Sequence, residues 1–113
     1  MLKLLRMHHV AVIRSDDERS RRFYIDILGL DLRLPDGTQI ELFSFPDPPK
    51  RPSYPEACGL RHLAFEVADL DEAVRELEGR GVVVEPVRVD EHTGKRFTFF
   101  ADPDGLPLEL YER

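Results

Sequence analysis

Apolar and polar residues alternate at residues 7–13, Met-His-His-Val-Ala-Val-Ile, a stretch rich in β-branched side chains that predicts a strand. A period of two puts His9, Ala11 and Ile13 on one face and His8, Val10 and Val12 on the other. The period then changes. Phe23, Tyr24, Ile27 and Leu28 recur at helical spacing. Ser15 and Glu18 stand at capping-box spacing ahead of them, and Gly29 ends the run. Residues 46–59 contain five prolines (46, 48, 49, 52 and 55), which fix φ and remove backbone donors, so a surface linker is expected there.

The same pattern then begins again. Residues 61–67 predict a strand. Asp69 and Glu72 cap a helix carrying Leu70, Ala73, Val74 and Leu77, which Gly79 and Gly81 end. Residues 82–89 and 96–100 predict two strands joined by a turn at His92-Thr93-Gly94. Pro103-Asp104-Gly105 predicts a tight turn, and residues 106–111 a last strand.

The two halves match at four places. His9-Val10-Ala11-Val12 answers His62-Leu63-Ala64-Phe65, and a capped helix follows each. Pro35-Asp36-Gly37 answers Pro103-Asp104-Gly105. Ile40-Glu41-Leu42-Phe43 answers Leu108-Glu109-Leu110-Tyr111. Each Glu lies six residues after its Pro (41 − 35 and 109 − 103). The chain is therefore expected to form a single domain over residues 1–113. It would comprise a first βαβββ module at 7–46, a Pro-rich linker at 47–60 and a second βαβββ module at 61–113.

The copies differ in one interval. From the helix-ending glycine to the proline there are six residues in the first copy (35 − 29) and 22 in the second (103 − 81), a deficit of 16 between Gly29 and Pro35. Six residues cannot hold two strands of about five residues each and a turn. Either the first module lacks its inner hairpin or the sequence joins across a segment that the protein contains. The cost of opening the sheet favours the second explanation. An intact mass of 13.1 kDa would exclude it.

Matched placement gives the His and Glu pairs their meaning. Neutral imidazole and carboxylate suit Ni, Zn, Co or Mn, with Fe(II) less favoured for this set. Two carboxylates balance a 2+ ion, and four protein ligands leave positions open for substrate oxygens. His9, Glu41, His62 and Glu109 are thus the expected ligands of one shared divalent-metal site. His8 faces away from His9 and reads as structural. His92 reads as a surface turn residue, Asp102 and Asp104 as turn formers, and Cys58 as a small, partly buried residue. Arg96 reads either as a contact for an anionic substrate or as a solvated or salt-bridged side chain.

Composition narrows the function. The net charge of −6 argues against a nucleic-acid partner held through phosphates. No apolar run approaches the roughly 20 residues that span a bilayer, and residues 1–6 lack the apolar core of a signal peptide. A cytoplasmic protein without membrane or nucleic-acid partners is expected.

With His on each first strand and Glu on each last strand of a duplicated unit, the chain resembles the vicinal oxygen chelate superfamily, which includes glyoxalase I, bleomycin-binding proteins and extradiol dioxygenases. The most specific run is residues 97–112, from Phe97-Thr98-Phe99-Phe100 through Asp102-Pro103-Asp104-Gly105 to Glu109-Leu110-Tyr111-Glu112. The resemblance implies an α+β fold in which two tandem βαβββ modules form a curved mixed sheet around a metal site. The ligand order His, Glu, His, Glu is similar to bacterial glyoxalase I. This likeness implies a metal-dependent lyase or isomerase that moves a proton beside a chelated carbonyl through an enediolate. Glu109 is then the first choice for the base, with Glu41 opposite it. The substrate would be a small molecule with adjacent oxygens, and the protein a homodimer. Ile13 and Phe45 stand where bacterial glyoxalase I has an Arg and an Asn for glutathione, which speaks against glutathione as the thiol. The alternatives are a binding protein that sequesters a small molecule or antibiotic without chemistry, and an Fe(II) dioxygenase.

Overall fold

The computed structural model describes residues 2–29 and 33–113, which divide into two compact units, Met1–Pro49 and Lys50–Arg113. The expected features of residues 30–32, inside the shortened interval, lie outside the described residues.

In the first unit, β1 (His9–Arg14) leads into α1 (Asp17–Arg21), which continues as a π-helical segment, Arg22–Ile27, before β2 (Gln39–Ser44). The helix is capped by Asp16, whose carboxylate accepts the Arg19 N–H at 2.9 Å. Ser15 was the expected cap. A carboxylate is an equally good cap acceptor, and here it stands one residue nearer the first turn. Phe23 and Tyr24 of the predicted stripe are buried, with their rings edge to face at 5.2 Å. β1 and β2 pair in parallel, an arrangement that needs a crossover such as the intervening helix supplies. On this pair Val12 and Ile40 are buried, while His9, Ala11 and Ile13 lie on the opposite, exposed face.

The second unit follows the predicted order: β3 (Leu63–Val67), α2 (Leu70–Gly79), β4 (Arg88–Val89), β5 (Arg96–Ala101) and β6 (Pro107–Glu112). Its sheet runs β3-β6-β5-β4, with β3 parallel to β6 and the other pairs antiparallel. Asp69 caps α2 by accepting the Glu72 N–H at 3.0 Å. Leu70 and Leu77 of α2, with Thr98, Phe100, Leu108 and Leu110 of the sheet, form the buried side. The other side carries Glu109, Tyr111, Phe97 and Phe99, paired across β5 and β6 as Phe97 with Tyr111 and Phe99 with Glu109.

The β1–β2 pair stands in the same parallel relation as β3 and β6. Among the described residues the first unit has no full strand answering β4 or β5, but the antiparallel bridge between Arg33 and Gln39, across Pro35-Asp36-Gly37, answers the Ala101–Pro107 pair that joins β5 to β6.

One predicted strand is much shorter than expected. Of residues 82–89 only Arg88–Val89 joins the ladder. Pro86 has no N–H to donate and interrupts it. Glu85 still reaches the sheet, donating its N–H to the Phe99 carbonyl at 2.9 Å and accepting the Thr98 hydroxyl on its own carbonyl at 2.6 Å.

Three acidic side chains hold turns and helices by hydrogen bonds that favour their charged form. The Arg96 guanidinium holds the Asp71 carboxyl below its ordinary 3.8. The His92 backbone N–H and then the Tyr111 hydroxyl do the same for Asp90. The Thr38 N–H does it for Asp36. A carboxyl lowered on folding contributes stability above its unfolded value, and that stability is lost as pH falls through the folded one. The thermal midpoint is therefore expected to drop on acidification below pH 3.8. Asp71→Asn and Asp90→Asn should each flatten that acid limb in a pH series of melting curves.

Candidate metal centre

The same strand register builds a His–Glu pair in each unit. In the first, Ala11 pairs with Glu41, and His9 lies two residues before Ala11 on the same face. In the second, Ala64 pairs with Glu109, and His62 lies two residues before Ala64. The period of two brings each imidazole over its carboxylate. His9 Nε2 is 3.5 Å from Glu41 Oε2, and His62 Nε2 is 3.8 Å from Glu109 Oε2. Among the described residues no group of three or more His, Cys, Asp or Glu side chains is placed to hold one ion, so each pair contributes two donors.

These separations discriminate between two uses of the pair. An N–H···O hydrogen bond spans about 2.7–3.2 Å, shorter than either. Two donors about 2.1 Å from one ion stand about 3.0 Å apart at a right angle and about 3.4 Å apart at the tetrahedral angle. Both pairs are wider than a hydrogen bond, 3.5 Å lying near the tetrahedral figure and 3.8 Å beyond it, and a nitrogen with a carboxylate oxygen is a donor set that suits a divalent ion.

The two pairs differ in shelter. His9 and Glu41 side chains are 46% and 42% exposed, whereas His62 and Glu109 are 25% and 13% exposed. Phe99 provides part of that cover: its ring stands edge-on to His62 at 4.9 Å. His9 is held differently. His8 and His9 meet through their Nδ1 atoms at 3.0 Å. If Nε2 held a metal, Nδ1 of His9 would carry the proton and donate it to His8, the kind of outer-sphere contact that orients metal-binding imidazoles. Sequence periodicity put His8 on the opposite face and could not anticipate a bond between adjacent rings.

Other expectations resolve as follows. Arg96 does not serve the open face. Its guanidinium is bound to Asp71 at 3.1 and 3.2 Å and to Glu112 at 3.3 Å, tying α2 to the sheet. Cys58 is exposed rather than partly buried, because it lies in the irregular Pro-rich segment. Asp102 and Asp104 form the predicted turn, with Asp102 Oδ1 accepting the N–H groups of Asp104 and Leu106 at 2.8 and 2.9 Å. His92 lies in its turn, its N–H donated to Asp90 at 2.9 Å. Ile13 and Phe45 are 56% and 53% exposed, and Phe45 stacks on Phe43 at 6.3 Å, so these two positions offer apolar surface.

Two hollows hold none of the four residues. One of about 450 Å³ runs along the helix of the first unit past Asp17, Arg21 and Asp26. The other, about 300 Å³, is bounded by Arg51, Tyr54, Cys58 and Arg61. Neither brings together a His and a carboxylate, whereas the repeated register does so twice.

A duplicated parallel strand pair with His and Glu at matched positions defines a glyoxalase-type domain. The chain belongs to the Glyoxalase/Bleomycin resistance protein/Dioxygenase superfamily, whose family model matches residues 6–110. It is 55% identical to YaeR of Escherichia coli K12, with all of both chains covered. That match runs over 129 positions against 113 residues here (129 − 113 = 16), the same number as the deficit between the repeats. It is 28% identical to a 2-epi-5-epi-valiolone epimerase of an Actinomyces species, over 92% of this chain and 77% of that protein. Among solved structures, SMU.1112c superposes with a TM-score of 0.88 at 42% identity, covering 97% of this chain and 100% of that one. The antibiotic-binding protein TnmS3 of Streptomyces sp. CB03234 superposes with a TM-score of 0.77 at 25% identity, covering 99% of this chain and 98% of that one. No helix among the described residues is long and apolar enough to cross a membrane.

Proposed function

We propose that this chain is a divalent-metal-dependent lyase or isomerase of the glyoxalase type, with His9, Glu41, His62 and Glu109 as the ligands of one site. The observation that carries this reading is the identical register that sets an imidazole against a carboxylate in both units, at 3.5 and 3.8 Å. Two donors alone make a weak site, and the two pairs together supply four. They would be joined within one chain or across a homodimer. Ni, Zn, Co or Mn suits the set.

When bound, the ion supplies Lewis-acid stabilisation of negative charge on adjacent substrate oxygens. The protein supplies the proton transfer. Glu109, better shielded than Glu41 and bordered by Phe99, takes the proton from the carbon beside the carbonyl and returns it to the neighbouring carbon. No electrons change hands. The apolar ring excludes water that would compete for the carbanionic centre. His8 holds the His9 ring through the step. The 28% identical relative is named as an epimerase, and inverting a carbon centre is one outcome that removal and return of a proton at carbon can have.

The test is a panel of 2-oxoaldehyde–thiol adducts in deuterated water. Exchange or isomerisation at the carbon beside the carbonyl is expected, with thiols other than glutathione preferred, and it should cease when a chelator strips the protein. A second reading, sequestration without chemistry, is favoured by the likeness to TnmS3. It requires that a bound compound be recovered unchanged, with no exchange.

A further inference from the structure

The open face of the second unit carries a cation that the proton transfer does not use. Arg88 stands on β4 opposite Phe97, on the same face as Glu109 and Tyr111. Its guanidinium lies 5.2 Å from the centre of the Phe97 ring and 5.7 Å from that of Phe99. Phe99 in turn touches His62 at 4.9 Å, so the guanidinium is at most 10.6 Å from the imidazole, the 5.7 and 4.9 Å steps laid end to end. Phe97 is edge-on to Phe99 at 6.1 Å and stacked on Tyr111 at 6.3 Å, which makes a continuous aromatic wall between the His–Glu pair and the arginine.

The rings fix Arg88 without using its donors. Packing over aromatic faces is a cation–π arrangement that leaves the edge N–H groups of the guanidinium free to bind. The polar contact found is to Glu85 at 3.3 Å, between side chains that are 54% and 59% exposed. A long, exposed pair of this kind is readily exchanged for a carboxylate that arrives with a ligand. The cation is also notable in a chain of net charge −6, beside a site that itself contains a carboxylate.

We propose that Arg88 is the specificity residue of this site, and that the substrate carries a carboxylate a short carbon chain away from its adjacent oxygens. This rests on the reading of His62 and Glu109 as metal ligands. One planar guanidinium matches one carboxylate in charge and in fork geometry. The aromatic wall covers the apolar carbons between the two ends. A three-bond carbon chain spans about 4 Å and, along a bent path with its two polar ends, can join Arg88 to the His62 site inside that limit. Arg88 positions and selects the substrate and takes no part in the proton transfer.

Two probes separate this idea from the metal reading. 2-Oxoglutarate and 2-oxopentanoate share the 2-oxo acid head and the five-carbon chain, and only the first has a distal carboxylate. Calorimetric titration of the metal-loaded protein is expected to give about tenfold or more tighter binding of 2-oxoglutarate, as a charge-assisted hydrogen bond warrants. Arg88→Gln should abolish that ratio while leaving 2-oxopentanoate affinity and metal content unchanged. Equal affinities in the wild type, or a ratio that survives Arg88→Gln, with the ion bound, would overturn the role of Arg88 alone. A wild-type protein that holds no ion would overturn the metal reading and this inference with it.

Discussion

Glu109→Gln is expected to lower turnover by about 10²–10⁴-fold, the range of a lost general base. Glutamine keeps the shape of the side chain and one oxygen donor but cannot take up a proton. The substitution falls on the better-sheltered pair, where Glu109 is 13% exposed and faces Phe99 across the strands. Glu41→Gln provides the comparison. Glu41 is 42% exposed, so water can reach its carboxylate, and its loss is expected to weaken metal binding more than it slows the loaded enzyme. Turnover measured at saturating metal separates the two roles. Unchanged turnover of Glu109→Gln with the ion still bound would remove Glu109 from proton transfer.

The second large effect is on the neighbouring residue, which points the other way. Leu108 is fully buried on β6, the strand that lies between β3 and β5, on the side covered by α2. Leu108→Ala leaves a cavity that a strand paired on both sides cannot close, and about 2–5 kcal/mol of stability should be lost. In a domain of this size that lowers the melting temperature by roughly 10 °C or more. Val89→Ala is the control: Val89 is 58% exposed on the sheet edge, and its truncation should cost less than about 0.5 kcal/mol. A loss below about 1 kcal/mol for Leu108→Ala would contradict the packing described. One strand thus holds the core with Leu108 and Leu110 and presents Glu109 and Tyr111 on its open face, and a slip of one residue would exchange the two sets.

Much of this was legible in the residues. The repeat located both His–Glu pairs because duplicated modules keep equivalent side chains at equivalent register, and spacing alone recorded it. The Asp69 cap and the turn around Asp102 were readable because both are local hydrogen-bonding devices. Other features depend on distant contacts or on choices between near equals. Ser15 and Asp16 are both good caps, and backbone geometry decides between them. The run at 82–89 has strand composition, but Pro86 breaks its ladder. Arg96 and Arg88 look alike in sequence. Which of them shares the face of the His62–Glu109 pair is set by the register across the β4–β5 hairpin, where Arg88 pairs with Phe97 and Val89 with Arg96. The bond between His8 and His9 was hidden because strand alternation assigns adjacent side chains to opposite faces.

Metal content measured on the purified wild-type chain beside His62→Ala tests the central claim most directly. Elemental analysis after dialysis against a weak chelator is expected to find one divalent ion per site in the wild type. The alanine variant should show a large loss, with its fold retained by circular dichroism. A folded wild-type protein that binds no divalent ion under loading, or a His62→Ala variant that binds it as well as the wild type, would contradict the assignment of the His–Glu pairs as metal ligands.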